Sequence, residues 1–213
     1  MKKTIQFLLV IGMLFACPVV NAQNKTLEKA RKKEYKVKMK EYQKGNWKLF
    51  GSSRSLDVAL LTHYDKLNNG GDGVSEVVGI ASKFKSKNIG KQWALNSACN
   101  YYARQAGSHV KGRVVSDMAG DAIDVEKEFE HFYAAYESNV EKEIKGEMKE
   151  SYSIIHDNGD GTFEMQTYFI IDEEAASQAR IRAFEQAMRE SAAAQKHAEM
   201  VSNFIKEGFE LAQ

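Results

Sequence analysis

Residues 144–171 read IKGEMKESYSIIHDNGDGTFEMQTYFII, and this stretch decides the fold. At its centre lies Asp157-Asn158-Gly159-Asp160-Gly161. Asn-Gly and Asp-Gly supply the positive-φ conformations that tight hairpin turns require. After the turn, Phe163, Met165, Phe169 and Ile171 fall on one face, with Thr167 as a small polar break. Glu164 and Gln166 fall on the other. That alternation predicts a strand with one buried side. Before the turn, Met148, Tyr152 and Ile154 are spaced to give the first strand a similar face. The two strands of this hairpin must be antiparallel.

Working upstream, Val74, Val78, Ile80 and Phe84 predict a strand over 74–84. Ser86-Lys87-Asn88 turns the chain. Trp93, Ala94, Ala98, Tyr101 and Tyr102 recur at three and four residues and predict a helix over 89–106. Gly107 stands where a helix C-terminus takes glycine. Val110, Val114 and Val115 predict a further strand over 110–118, weakened by Gly112 and closed by Ala119-Gly120-Asp121. Val125, Phe129, Phe132, Tyr133, Tyr136 and Val140 predict a broad-faced helix over 123–145. Downstream of the hairpin, Asp172-Glu173-Glu174 places acids at a helix N-terminus, where the dipole favours them. The stripe of that helix weakens across Ser191 to Gln195 and revives at Ala198. Continuous to Leu211, it would reach roughly 60 Å at about 1.5 Å per residue. The alternatives are an end projecting beyond the domain and a chain that folds back near Ser191.

The class expected is α+β: a small, mainly antiparallel sheet of about three or four strands, covered on one face by helices. A basic helix precedes it and a long helix closes it. The basic helix spans 24–44 and is dense in lysine, arginine and glutamate, with Leu27, Ala30, Tyr35, Met39 and Tyr42 spaced through it. It is either a contact arm or a solvated tether. Gly45-Asn46 ends it, and Trp47 to Gly51 forms a short strand or an aromatic plug. Ser52 to Ser55 offers N-caps for a helix to about Leu67, bearing Leu56, Leu60, Tyr64 and Leu67 on one face. Asn68 to Gly73 then reads as an irregular loop.

The first 22 of the 213 residues resemble an export signal. Lys2 and Lys3 form its positive end, and Phe7 to Phe15 is an apolar run too short to span a bilayer. Val20-Asn21-Ala22 is a small-residue cleavage pattern ahead of Gln23. The alternative is Leu14-Phe15-Ala16-Cys17, with a lipid anchor on Cys17. Cleavage after Ala22 removes two lysines and leaves 28 basic against 29 acidic residues, a formal −1. Such a balance gives no overall attraction to nucleic acid or anionic lipid, so membrane contact is expected to be peripheral or none. Cys99 is then the only cysteine, without an internal disulfide partner. The domain expectation is therefore 1–22 signal, 23–46 basic arm, 47–190 α+β domain and 191–213 helical extension.

No catalytic, cofactor or metal residues are expected. Counted from Asp157 or Asn68, the glycine-rich turns fail the calcium-loop pattern: positions three and six are wrong from Asp157, and positions three and twelve from Asn68. His63, His109, His131, His156 and His197 contain no pair within five residues, so there is no local zinc motif. His109 and His156 fall at expected strand ends. Cys99 sits on an alanine-rich helix and reads as a buried structural thiol rather than a nucleophile. Gly-x-Ser-x-Gly is missing, and Gly70-Gly71-Asp72-Gly73 lacks the lysine of a phosphate loop. Trp47 and Trp93 sit among aromatics at helical spacing that reads first as core.

Three stretches, Glu76-Val77-Val78-Gly79-Ile80-Ala81, Ala94-Leu95-Asn96-Ser97-Ala98-Cys99 running through Tyr101-Tyr102-Ala103, and the hairpin with its following helix, carry a resemblance. Over residues 74–190 the chain is similar to Lpp-twenty-type envelope lipoproteins and to the N-terminal domain of the flagellar outer-membrane T-ring protein. The resemblance implies an α+β envelope domain and no catalytic residues. The function expected is a non-enzymatic exported envelope protein acting through protein–protein contacts. Its surfaces would be the basic helix and the far end of the C-terminal helix. The alternative is a binding module for a cell-wall glycan or small ligand, with Trp47 or Trp93 as stacking platform. An enzyme is disfavoured, because no nucleophile and base pair up in the sequence. The oligomeric state is not legible.

Overall fold

The computed structural model describes residues 18–117, 122–196 and 198–206. The expected signal up to and including Cys17 lies outside them, as do Met118 to Asp121 and His197. The chain divides into two units, Met1–Gly45 and Asn46–Gln213. The first unit contains helix α1, Pro18–Lys44. Between Lys29 and Lys44 its residues are exposed or half-buried apart from Met39 and Tyr42, which are buried.

The second unit runs β1 (Lys48–Phe50), α2 (Leu56–Gly70), β2 (Val74–Phe84), α3 (Lys87–Asp117), α4 (Ala122–Ile144), β3 (Lys149–Asp157), β4 (Phe163–Asp172), α5 (Glu173–Glu190), α6 (Ala192–Lys196) and α7 (Ala198–Lys206). The four strands form one antiparallel sheet in the order β1-β3-β4-β2. The class is α+β, as expected. Among the described residues no helix is long and apolar enough to cross a membrane.

The hairpin forms where its turn chemistry requires. Gly159 and Gly161 take φ of 78° and 82°, and Asp157 and Asp160 accept backbone N–H bonds from Gly159 and Thr162 at 2.9 Å each. The side-chain faces of β3 differ from the expectation. Glu150 pairs with Phe169, but Tyr152 pairs with Tyr168, so Ser151 is the extra residue of a bulge. A bulge of one residue reverses the alternation. Met148 therefore joins the helical core with Ile171, whereas Tyr152 stacks on Tyr168 on the opposite face, ring centroids 4.4 Å apart.

The main core lies between one face of the sheet and α3, α4 and α5. Val77, Phe169 and Ile171 from the sheet meet Ala98, Tyr102, Phe132, Tyr136, Ala179 and Ala183 there. Helix α2, capped by the Ser55 hydroxyl accepting from Val58 N–H, places His63 against Tyr152 and Tyr168 on the other face. So β4 is buried on both sides along Tyr168-Phe169-Ile170-Ile171. Residues 68–73 are not an irregular loop. α2 continues to Gly70, and a 3₁₀ turn occupies Gly71–Gly73. Gly71, at φ 52°, donates its N–H to Leu67 O and ends the helix.

The strand expected over 110–118 does not form; α3 runs through it to Asp117. Val110 and Val114 are one helical turn apart and extend the buried row of Ala103 and Ala106. Gly107 is not a terminator. It is buried where α3 passes α4, and a Cβ there would lie 3.3 Å from Glu137 Oε2. The C-terminal helix is not continuous either. It bends at Ser191, whose backbone is extended and whose hydroxyl accepts from Ala194 N–H at 3.2 Å to start α6. Ala194 and Val201 are fully buried in the main core. The chain folds back there, so the described residues up to Val201 belong to the domain and do not project from it.

Candidate functional site

The residues that face away from the core on α3 form the most site-like surface. The helix presents Ala94, Ala98, Tyr102, Ala103 and Ala106 inward, all buried. That inward row is made mostly of alanine, and it sits deep because β2 lets it. A Cβ at Gly79 would lie 1.9 Å from Ala94 O, so only glycine permits this approach. Trp93 and Tyr101 flank the inward row and are each 51% exposed. The sequence placed them in one stripe with Ala94, Ala98 and Tyr102; those three are buried, and Trp93 and Tyr101 are not.

Trp93, Asn96, Ser97, Asn100, Tyr101, Arg104 and, from α4, Glu141 line an open groove of about 560 Å³. Four of its polar side chains have partners on the scaffold. Asn96 Oδ1 accepts from Lys145 Nζ at 3.2 Å. The Tyr101 hydroxyl accepts from Gln105 Nε2 at 2.9 Å. Ser97 Oγ accepts the Ile80 N–H of the edge strand at 3.5 Å. Arg104 reaches Glu137 at 3.9 Å. The arrangement offers two aromatic surfaces, two amides, a hydroxyl and one charge of each sign. That is the equipment of a binding surface.

The other candidates sit elsewhere. Trp47 is half-buried, its ring 5.5 Å from that of His156. His109 lies within α3, not at a strand end as expected, and His131 is exposed on α4. His63 is 1% exposed, with its Nε2 on the Glu76 carboxylate. The face expected for this helix, Leu56, Leu60, Tyr64 and Leu67, did not include His63, although its spacing of three from Leu60 is the signal that it shares the buried face. Among the described residues no group of three histidine, cysteine or acidic side chains is placed to hold a metal ion.

Cys99 is buried on the core side of α3. Burial pushes its thiol from an ordinary 9.0 up to about 11, against the pull of Lys145 and with a further push from Glu141. The protonated thiol is a poor nucleophile. Its linkage to stability follows: the contribution is intact below pH 9 and is lost as the pH rises towards 11. At pH 8 Cys99 is expected to be left unreacted by an aromatic disulfide reagent in the native protein, and to react once the protein is denatured. Rapid reaction in native buffer would show the thiol to be accessible.

No family model, curated protein or solved structure matches the chain.

Proposed function

We propose that this is a non-enzymatic exported protein of the cell envelope that works by binding, with the Trp93–Tyr101 face of α3 as its contact surface. One observation carries the reading: two large aromatic side chains, half-exposed, share a groove whose other residues are all polar. Exposed aromatics beside arginine and amides are the composition of contact surfaces rather than of ordinary solvated faces. Export is supported by Lys2-Lys3, the run from Phe7 to Phe15 and the cleavage pattern at Ala22. The resemblance over 74–190 points the same way. Of the two contact surfaces expected at first, the C-terminal one is diminished, because Ala194 and Val201 are buried. The basic helix α1 stands as a second contact.

The test is hydroxyl-radical footprinting of Trp93 and Tyr101 in intact cells against the purified protein. Protection of both residues in cells is the expected result. Equal labelling in the two settings would remove this face from the function.

A further inference from the structure

We infer that the ligand of this face is a neutral oligosaccharide, a short chain of linked pyranose rings lying along α3 from Trp93 to Tyr101. The inference rests on the contact-surface reading above and adds the chemistry of the occupant.

The lining argues for it first. A pyranose ring has a face of polarised C–H bonds and a rim of hydroxyls. The C–H face packs on the electron-rich face of an indole or phenol. Each rim hydroxyl both donates and accepts, and so does a carboxamide. The groove supplies both kinds of partner: Trp93 and Tyr101 for the faces, Asn96, Asn100 and Ser97 for the rim. None of its seven residues is aliphatic. The exposed Ile80 and Ile89 stand outside the lining. A groove for an amphipathic peptide needs apolar pockets for its anchoring side chains, and this lining has none.

Spacing comes second. Trp93 and Tyr101 are eight residues apart, about 12 Å along the helix and about 80° around it. Ser97 lies midway in both senses. A small residue between two rings leaves a shallow notch, long enough for a short oligosaccharide and too open to enclose a single small molecule. Charge is the third argument. Arg104 and Glu141 put one charge of each sign in the lining, so the groove has no excess sign with which to select an anion. Finally, the polar groups are held on two packed helices. Asn96 already accepts from Lys145 through its oxygen, which leaves the amide nitrogen to donate to a ligand. Such pre-ordering lowers the entropy lost on binding.

The test uses the full mature chain, with the tetramer of β-1,4-linked N-acetylglucosamine and cellotetraose as probes. Tryptophan fluorescence and calorimetry are the readouts. A saturable spectral change is expected with one or both tetramers, and weaker binding with the matching dimers. The acetylated sugar alone would assign an amino-sugar polymer; both would assign β-linked glycans in general. Trp93→Ala and Tyr101→Ala are each expected to weaken binding about tenfold, with thermal unfolding unchanged because both side chains are half-exposed. Trp47→Phe is expected to bind as the parent does. No saturable change at millimolar sugar, or unaltered affinity in Trp93→Ala, would overturn the inference. If the footprint shows protection but neither tetramer binds, the occupant is a protein and only the saccharide inference fails. If the footprint shows no protection, the contact surface itself falls.

Discussion

Replacing Gly79 by alanine is expected to destabilise the second unit by about 3 kcal/mol, at the severe end for a single added methyl. The new carbon would sit 1.9 Å from Ala94 O and 2.6 Å from Ala94 C. Neither atom can rotate away, since both are backbone within α3. The helix would have to lift from β2, and Ala94 and Ala98, both fully buried, would lose their contact with the sheet. Gly112 makes the control. It lies in the same helix, is exposed, and a Cβ there meets nothing within 4 Å. Gly112→Ala is expected to stabilise by about 0.5–1 kcal/mol, because glycine within a helix loses the most backbone freedom on folding. Urea unfolding of the two variants should therefore move in opposite directions from the parent midpoint, with unchanged slopes. A Gly79→Ala protein within about 1 kcal/mol of the parent would mean that α3 is not seated on β2 as described. The groove depends on the same seating, because it fixes which residues of α3 are left facing outward.

Local chemistry was legible in the sequence, and long-range geometry was not. The hairpin was readable because its turn glycines and its alternation act within a few residues. The Ser55 and Asp172 caps were readable for the same reason. Residues 110–118 were misread because Val110, Gly112 and Val114 satisfy a period of two while Val110 and Val114 also satisfy a helical turn. The continuation of the row Ala103, Ala106, Val110, Val114 held the answer. The reversal of faces at Ser151 has no local signal, since any residue can occupy a bulge of this kind. Burial of β4 on both sides was written in the unbroken run Tyr168-Phe169-Ile170-Ile171, the mark of a strand covered twice. The exposure of Trp93 and Tyr101 could not be read from apolar periodicity, which counts both as core. What distinguishes them is the narrow alanine row beside them, which takes the inward face and leaves the large rings at its margins.

Glu173→Ala is expected to cost about 3 kcal/mol, and Arg180→Met distinctly less, although the second change replaces the larger and more deeply buried side chain. Arg180 is 2% exposed in a core whose adjoining residues on α5, Ala176, Ala179 and Ala183, are small enough to give it room. Its Nη1 donates to the Tyr102 hydroxyl and its Nη2 to Glu173 Oε1, both at 2.6 Å. Burial works against the guanidinium charge, but Tyr102 and Glu173 outweigh it and hold its pKa above the ordinary value. The same burial pushes the Tyr102 hydroxyl up to about 12. Removing the glutamate strands a positive charge inside the protein with less to balance it. Because Glu173 itself is about one-third exposed, water can replace part of the loss, which keeps the cost at the low end for a broken buried pair. Methionine at 180 instead removes the charge and fills similar volume, leaving a carboxylate that already reaches solvent and a tyrosine hydroxyl that has lost one donor. Thermal and urea unfolding of the two variants, with the double variant to close the cycle, measure the coupling. If Arg180→Met were the worse of the two, the guanidinium would be stabilising the core through its hydrogen bonds, not merely being tolerated within it.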